Sequence, residues 1–329
     1  MKKNGNLEAA SSICQKIMDE VSSVFVGNRQ LLKKLLAAGI ANGHVLLEDY
    51  PGVGKTLLVK AMAKTIGCNY TRIRFTPDLL PADIIGTRVW KQKEAVFELM
   101  KGPIFTNILL ADEINRTPPK TQAALLEAMG ERQVTIEGVR HSLESPFFAL
   151  ATQNPIDQEG TYPLPEAQMD RFLLKLSLGY AASLDDEVSI LSRRIAWKKE
   201  DPVEDMKVAT SVEEFTGLQQ LAETGIYVDQ CILDYVSQMV RATREHAKVE
   251  VGSSPRGGLA LLKLARAMAV INGRDFVTPD DIKMFSSDTL SHRIILHIEY
   301  ALDGVKGQDI VDEVMSRIPV PVDYMPRES

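Results

Sequence analysis

The sequence is poor in the features that announce a secreted, membrane-bound or nucleic-acid-binding protein. Only three cysteines occur in 329 residues, Cys14, Cys68 and Cys231. They are too far apart for a C-x-x-C pair, which argues against a disulfide framework or a zinc site. Positive charge is not in surplus, because 38 Lys and Arg stand against 44 Asp and Glu for a net charge of −6. Nothing therefore draws the chain as a whole to phosphate backbones or anionic lipid, and nucleic acid is not an expected partner. No apolar run approaches the length of a membrane span, and the first thirty residues mix charged and apolar side chains where a signal peptide would be continuously apolar. A cytoplasmic location without stable membrane insertion is the expectation.

With 45% hydrophobic and 25% charged residues, the chain can bury a large core and is long enough for two domains. Ile13, Ile17, Val21 and Val24 recur at helical spacing, and Leu31 to Ile40 form a second apolar helix. Short apolar runs then alternate with helical or loop segments: His44 to Leu47, Tyr70 to Phe75, Ile108 to Ala111, Phe147 to Thr152 and Phe172 to Leu178. This alternation predicts an α/β domain, a parallel sheet with helices on both faces, over 1–182. Strand signals stop after Leu178, and an all-helical domain is predicted over 183–329. Its helix starts are legible: Ser211 with Glu214, Asp229, and Thr278 with Pro279 and Asp281. The charged stretch 198–207 has no periodicity and reads as a mobile connection. Two hairpins are predicted within the sheet domain, one around Val89, Val96 and Phe97, the other turning at Glu137 and Gly138.

Chemistry concentrates at three strand ends. LLEDYPGVGKT, residues 46–56, places a glycine-bearing turn between a buried strand and a helix, as phosphate binding requires. Pro51, Gly52, Val53, Gly54, Lys55, Thr56 and Leu57 form this candidate loop. Its glycines let backbone N–H groups face the phosphates, Lys55 reaches their outer oxygens, and Thr56 offers a hydroxyl to Mg²⁺ at a helix N-terminus. The strict pattern G-x-x-x-x-G-K-[ST] demands a glycine where this chain has Asp49. Aspartate tolerates turn conformations, but its carboxylate must point away from a bound triphosphate. A glycine-rich structural turn is the alternative. Downstream, ILLADEINR delivers Asp112 and Glu113 at a strand's C-terminal end, where open sheets bind ligands. One carboxylate could hold Mg²⁺ through water while the other polarises the attacking water, with helix capping as the alternative. A third strand ends near Asn154, which could orient that water if the two strands are neighbours, or simply satisfy a turn.

Three longer segments, 112–136, 151–172 and 252–274, make the chain resemble the MoxR family of AAA+ ATPases. The resemblance implies a P-loop NTPase core followed by a helical lid. It also implies Lys55 and Thr56 as Walker A residues, Asp112 and Glu113 as the Walker B pair, and Asn154 as sensor 1. Arg171 is then similar to the arginine finger that reaches a neighbouring subunit's ATP, and Arg256 resembles sensor 2. Both would place a cation that cannot lose its proton beside the γ-phosphate. The hairpins resemble the helix-2 insert and pre-sensor-1 hairpin of a subgroup that includes magnesium-chelatase motor subunits, in which Arg256 could serve either its own site or a neighbour's. ATP and Mg²⁺, a homo-oligomeric and hexameric ring, a client protein and a partner with a von Willebrand factor A domain are what the family implies. A magnesium-chelatase-like subunit and a nucleic-acid motor of related fold are the competing readings.

Other residues invite less. His292 and His297 are badly spaced for a metal on one helix face, and Met62, Met129, Met239 and Met268 fall on apolar helix faces as core filler. Arg116 and Arg132 could line a subunit interface, though solvation is expected, and Glu127 suits a partner contact or solvent.

Overall fold

The computed structural model describes residues 2–155, 160–199 and 201–324. Its central sheet is built from β1 (Val45–Glu48) and β2 (Tyr70–Arg74), then, after the hairpin β3 (Gly86–Lys91) and β4 (Val96–Lys101), from β5 (Ile108–Asp112). A second hairpin, β6 (Gln133–Ile136) and β7 (Val139–Ser142), precedes the last two sheet strands, β8 (Phe148–Gln153) and β9 (Leu174–Leu176). The order is β2-β5-β8-β1-β9, all parallel.

Strict alternation splits these strands between two cores, one per face. Val45, Leu47, Ile108, Leu110, Phe148 and Leu150 pack into the larger core with the helices Lys2–Val24, Arg29–Ile40 and Lys55–Ile66. Their neighbours Leu46, Leu109, Ala111, Ala149 and Ala151 face the other way, against the helix Pro119–Glu131. Because both faces are covered, the inner strands β1, β5 and β8 are almost wholly apolar and buried, whereas the edge strand β2 carries Arg72 and Arg74. The turn of the second hairpin has positive φ at both Glu137 (49°) and Gly138 (82°), which matches the right-handed twist of the paired strands.

The C-terminal region folds as helices Val212–Thr224, Gln230–Arg244, Pro255–Ile271, Pro279–Leu290 and Gly307–Arg317. Capping boxes at Ser211/Glu214 and Thr278/Asp281, and the Asp229 side chain accepting from the Cys231 N–H, fix three of their starts where the sequence placed them. The helices dock on the N-terminal pair: Ser11 Oγ donates to the Ile271 carbonyl at 2.9 Å and Gln219 Nε2 to the Gly39 carbonyl at 2.8 Å.

Three expectations need correction. The C-terminal region is not all helix, since β10 (Val249–Val251) pairs antiparallel with β11 (Ile295–Leu296), strands too short and too far apart in sequence to leave a local signal. Nor, over its described residues 201–207, is the charged stretch a loose connection: Val203 and Met206 are buried in the main core, and Asp201 pairs with Lys60 on the helix after β1. Arg132 is no solvated surface residue either. It ends its helix with φ +51° and donates to the Phe147 carbonyl at 2.9 Å and to that of Asn42. Glu127 is exposed, and the four methionines are buried.

Candidate active site

The phosphate-loop candidate leaves β1 at Glu48 and enters the helix Lys55–Ile66 through Gly54. Gly52 and Gly54 both sit at φ +86°, a region that costs any residue with a Cβ roughly 1–2 kcal/mol, so the two glycines of the motif are conformationally required. Space is not the reason at Gly52, where an added Cβ would touch nothing. Lys55 Nζ donates to the Asp49 carbonyl at 3.1 Å, which closes the loop on itself. Thr56 stands next, in the first helical turn, and Leu57 packs against the core.

Asp49 answers the question its position raises. Its carboxylate is buried and turned away from the loop's concave side, accepting from Ser177 Oγ at 2.7 Å and from the N–H groups of Leu178 (2.7 Å) and Gly179 (3.0 Å). Three donors offset the cost of burying the charge, and they tie the loop to the segment that follows β9. A cavity of 760 Å³ opens beside Gly52, Val53 and Gly54, walled by Phe25 from the N-terminal side and by Ile190 and Trp197 of the helix Leu184–Trp197. Arg193 fastens that helix by donating to the Ser22 carbonyl at 2.7 Å.

Asp112 closes β5, and its neighbour Glu113 turns sharply with φ +59°, ψ +47°, so the two carboxylates diverge. Thr152, near the end of β8, holds both. Its hydroxyl donates to Asp112 Oδ1 at 2.7 Å and accepts from the Glu113 N–H at 2.8 Å. The other oxygen of Asp112 accepts from Arg72 of β2, with Nε at 3.2 Å. Asp112 thus enters the site already oriented, with Oδ2 taken by the Arg72 fork and a lone pair left on Oδ1, which suits a water-mediated rather than an all-carboxylate grip on a metal ion. Glu113 Oε2 lies 3.2 Å from Arg116 Nε and 3.7 Å from Arg74 Nε, so charge surrounds it, yet it is buried without a well-aligned hydrogen bond. Arg116, expected at a solvated surface, therefore belongs to the acidic centre.

β8 runs between β5 and β1, and the Asp49 N–H donates to the carbonyl of Gln153 at 3.2 Å. Asn154, the next residue, emerges between the phosphate loop and the acidic pair. The neighbouring of strands that its assigned role requires is met.

Arg171 and Arg256 lie elsewhere. Residues 170–173 precede β9, and the Leu173 N–H donates to the carbonyl of His44 at the start of β1, whereas the phosphate loop follows the end of β1. In a parallel sheet these are opposite ends. Arg171 donates through Nη1 to the Leu126 carbonyl at 2.7 Å, and Arg256 extends from the first turn of its helix to within 3.5 Å of Asp170 Oδ2. Two histidines sit at this end, each buried. His44 accepts from the Ala149 N–H and faces the Met129 carbonyl, while His292 faces that of Phe172. Burial, reinforced by the nearby arginines Arg132 and Arg293, pushes both down to about 3, so both are neutral near pH 7.

Sequence reasoning passed over Thr152, Arg72, Ser177, Asp170 and Arg293. A threonine inside an otherwise apolar strand was a usable signal for the first. The rest act through contacts distant in sequence.

Residues 44–174 match the family described as "ATPase family associated with various cellular activities (AAA)", and residues 241–314 match the AAA lid domain. The chain is 48% identical to the uncharacterized protein YeaC of Bacillus subtilis, over 93% of this chain and 94% of that one. It is 39% identical to Chaperone MoxR1 of Mycobacterium tuberculosis, over 98% of this chain and 86% of the relative. The crystal structure of a proposed ATPase from Cytophaga hutchinsonii superposes with a TM-score of 0.89 at 38% identity, covering 97% of this chain and 98% of that one. The chain belongs to the MoxR family of AAA+ ATPases.

Proposed function

We propose that the chain is an Mg²⁺-dependent ATPase that works as a homo-oligomeric ring, of six subunits by family resemblance, with each site completed by a neighbour. The observation that carries this reading is the separation of the parts: phosphate loop, Asp112, Glu113 and Asn154 gather at the C-terminal ends of the strands, and Arg171 and Arg256 at the other end. In this reading the loop amides and Lys55 bind the β- and γ-phosphates of ATP. Glu113 takes the proton of a water that Asn154 orients, the water oxygen bonds to the γ-phosphorus, and the bond to the bridging oxygen breaks to give ADP and phosphate. Thr56 and, through water, Asp112 are the residues that would hold Mg²⁺, which would supply neutralisation of phosphate charge. Arg171 and Arg256 of the next subunit stabilise the charge that develops there.

The energy of hydrolysis would be applied to a client, in chaperone-like maturation, activation or cofactor insertion, with a von Willebrand factor A domain protein as the expected partner. The naming of a 39% identical relative as a chaperone supports the client reading. So does the hairpin β3–β4, whose Trp90 (50% exposed), Phe97 (56%) and Met100 (61%) are available to a partner. The magnesium-chelatase subunit homolog of Methanocaldococcus jannaschii, at 27% identity over 57% of this chain, is the weaker analogy.

The test is subunit mixing. Arg171→Ala should bind ATP yet lose about 10³ to 10⁵ in hydrolysis rate. Adding Lys55→Ala subunits, which bind no ATP but carry intact arginines, should restore part of the rate. Absence of any recovery would remove the shared site.

A further inference from the structure

Arg293 is the most heavily engaged cation of the C-terminal region. Its side chain is 4% exposed, and its Nε donates to Asp170 Oδ1 at 2.8 Å. Its Nη2 donates to the carbonyls of Asp170 (3.2 Å) and Phe172 (2.7 Å), and its Nη1 to that of Thr289 in its own region. One guanidinium from the lid thus grips the core chain on both sides of Arg171. The remaining oxygen of Asp170 faces Arg256 Nη1 at 3.5 Å. Arg256, 69% exposed on its side chain, and Arg171, exposed as well, both reach the surface, the guanidinium of Arg256 held beside Asp170 and that of Arg171 at the Leu126 carbonyl.

Burying a guanidinium is costly unless its donors are satisfied, and the four bonds made here satisfy most of the fork. If only lid docking were at stake, an apolar contact of similar volume could serve as well. What the ion pair adds is geometry. A planar fork bound to a side chain and to the main-chain carbonyls on either side of Arg171 fixes orientation, and a one-ångström misplacement in a catalytic group costs up to about 10²-fold in rate.

We infer that Asp170 and Arg293 are positioning residues that set the spacing of Arg171, from the core, and Arg256, from the lid, so that both arrive as one unit at a neighbouring subunit's nucleotide. This rests on the shared-site reading above. Lid and core must therefore stay joined at this end of the subunit while the arginines work, and motion that parts them withdraws both at once.

The experiment is ATP hydrolysis by Asp170→Asn and by Arg293→Lys, alone and mixed with Lys55→Ala subunits, with Arg171→Ala mixed likewise as the control. The expected result is a kcat lowered about 10- to 100-fold in each variant. KM should stay within about twofold, because each variant's own phosphate loop is intact, and kcat should rise again on mixing with Lys55→Ala. Gly130→Ala gives a second route that spares the ion pair. An added Cβ there would stand 2.4 Å from Arg171 Nη1, pushing the guanidinium aside, and the same pattern of lowered kcat and rescue should follow. Wild-type kcat in Asp170→Asn and Arg293→Lys overturns the inference. So does a loss that Lys55→Ala subunits fail to rescue while they do rescue Arg171→Ala, since the defect would then lie in the variant's own site. Failure to rescue Arg171→Ala would remove the shared site itself and this inference with it.

Discussion

The two ends of the central sheet are built on different principles. At the C-terminal ends of the strands, polar groups come from consecutive or adjacent residues: Gly52 to Thr56 in one bend, Asp112 with Glu113, and Thr152 reaching across to both. At the other end, Asp170, Arg171, Arg256 and Arg293 meet from three stretches of chain, two of them in the lid. In the proposed mechanism the first end holds the triphosphate alone, because amides and an ammonium suffice for binding. The second has cations but no phosphate loop of its own. In that mechanism binding belongs to one end and rate acceleration to the opposite end of another copy.

Changes at the phosphate end should separate binding from chemistry. Glu113→Gln keeps the shape and removes the base, so kcat should fall about 10² to 10⁴-fold while ATP stays bound, as single-turnover and equilibrium binding measurements would report. Turnover near wild type would strip Glu113 of its role. Asp49→Gly restores the glycine of the strict motif, yet it should destabilise the fold by about 1–3 kcal/mol, because the N–H groups of Leu178 and Gly179 and the hydroxyl of Ser177 lose their acceptor. Denaturant melts decide the point, and a more stable variant would show that the carboxylate is dispensable.

The smallest effect concerns acid, and it sharpens the contrast between the ends. His44 and His292 have folded-state values near 3, against an ordinary value of 6.5. A depressed histidine stabilises the fold fully above about 6.5, and that contribution is lost as pH falls from there toward 3, at up to about 1.4 kcal/mol per pH unit for each. Between pH 7.5 and 6 the loss should be slight, then steepen. Amide exchange should report it first in residues 170–173, before the phosphate loop. Uniform loosening of both ends would break the comparison.

Legibility in the sequence followed the same division. The phosphate loop, the acidic pair and three helix caps were readable because each is a local pattern whose physics is finished within a few residues. Asp49 was readable only as a conflict with the motif, since its three donors lie well over a hundred positions downstream. Arg116 and Arg132 were misjudged as solvated for the same reason: an isolated arginine carries no mark of the carbonyl or carboxylate that will meet it. The ribbon of β10 and β11 joins three residues to two across more than forty positions, below the length at which alternation becomes a signal. Arg171 and Arg256 came from family resemblance alone, and only the fold brings Arg256 to the carboxylate of Asp170, the residue before Arg171.

The most direct measurement is specific ATPase activity across a dilution series, with mass in solution followed in parallel in the presence of a slowly hydrolysed ATP analogue. A site shared between subunits requires activity per chain to fall as the oligomer dissociates, with ATP still bound by the separated chains. Constant activity per chain in a strictly monomeric protein would contradict it.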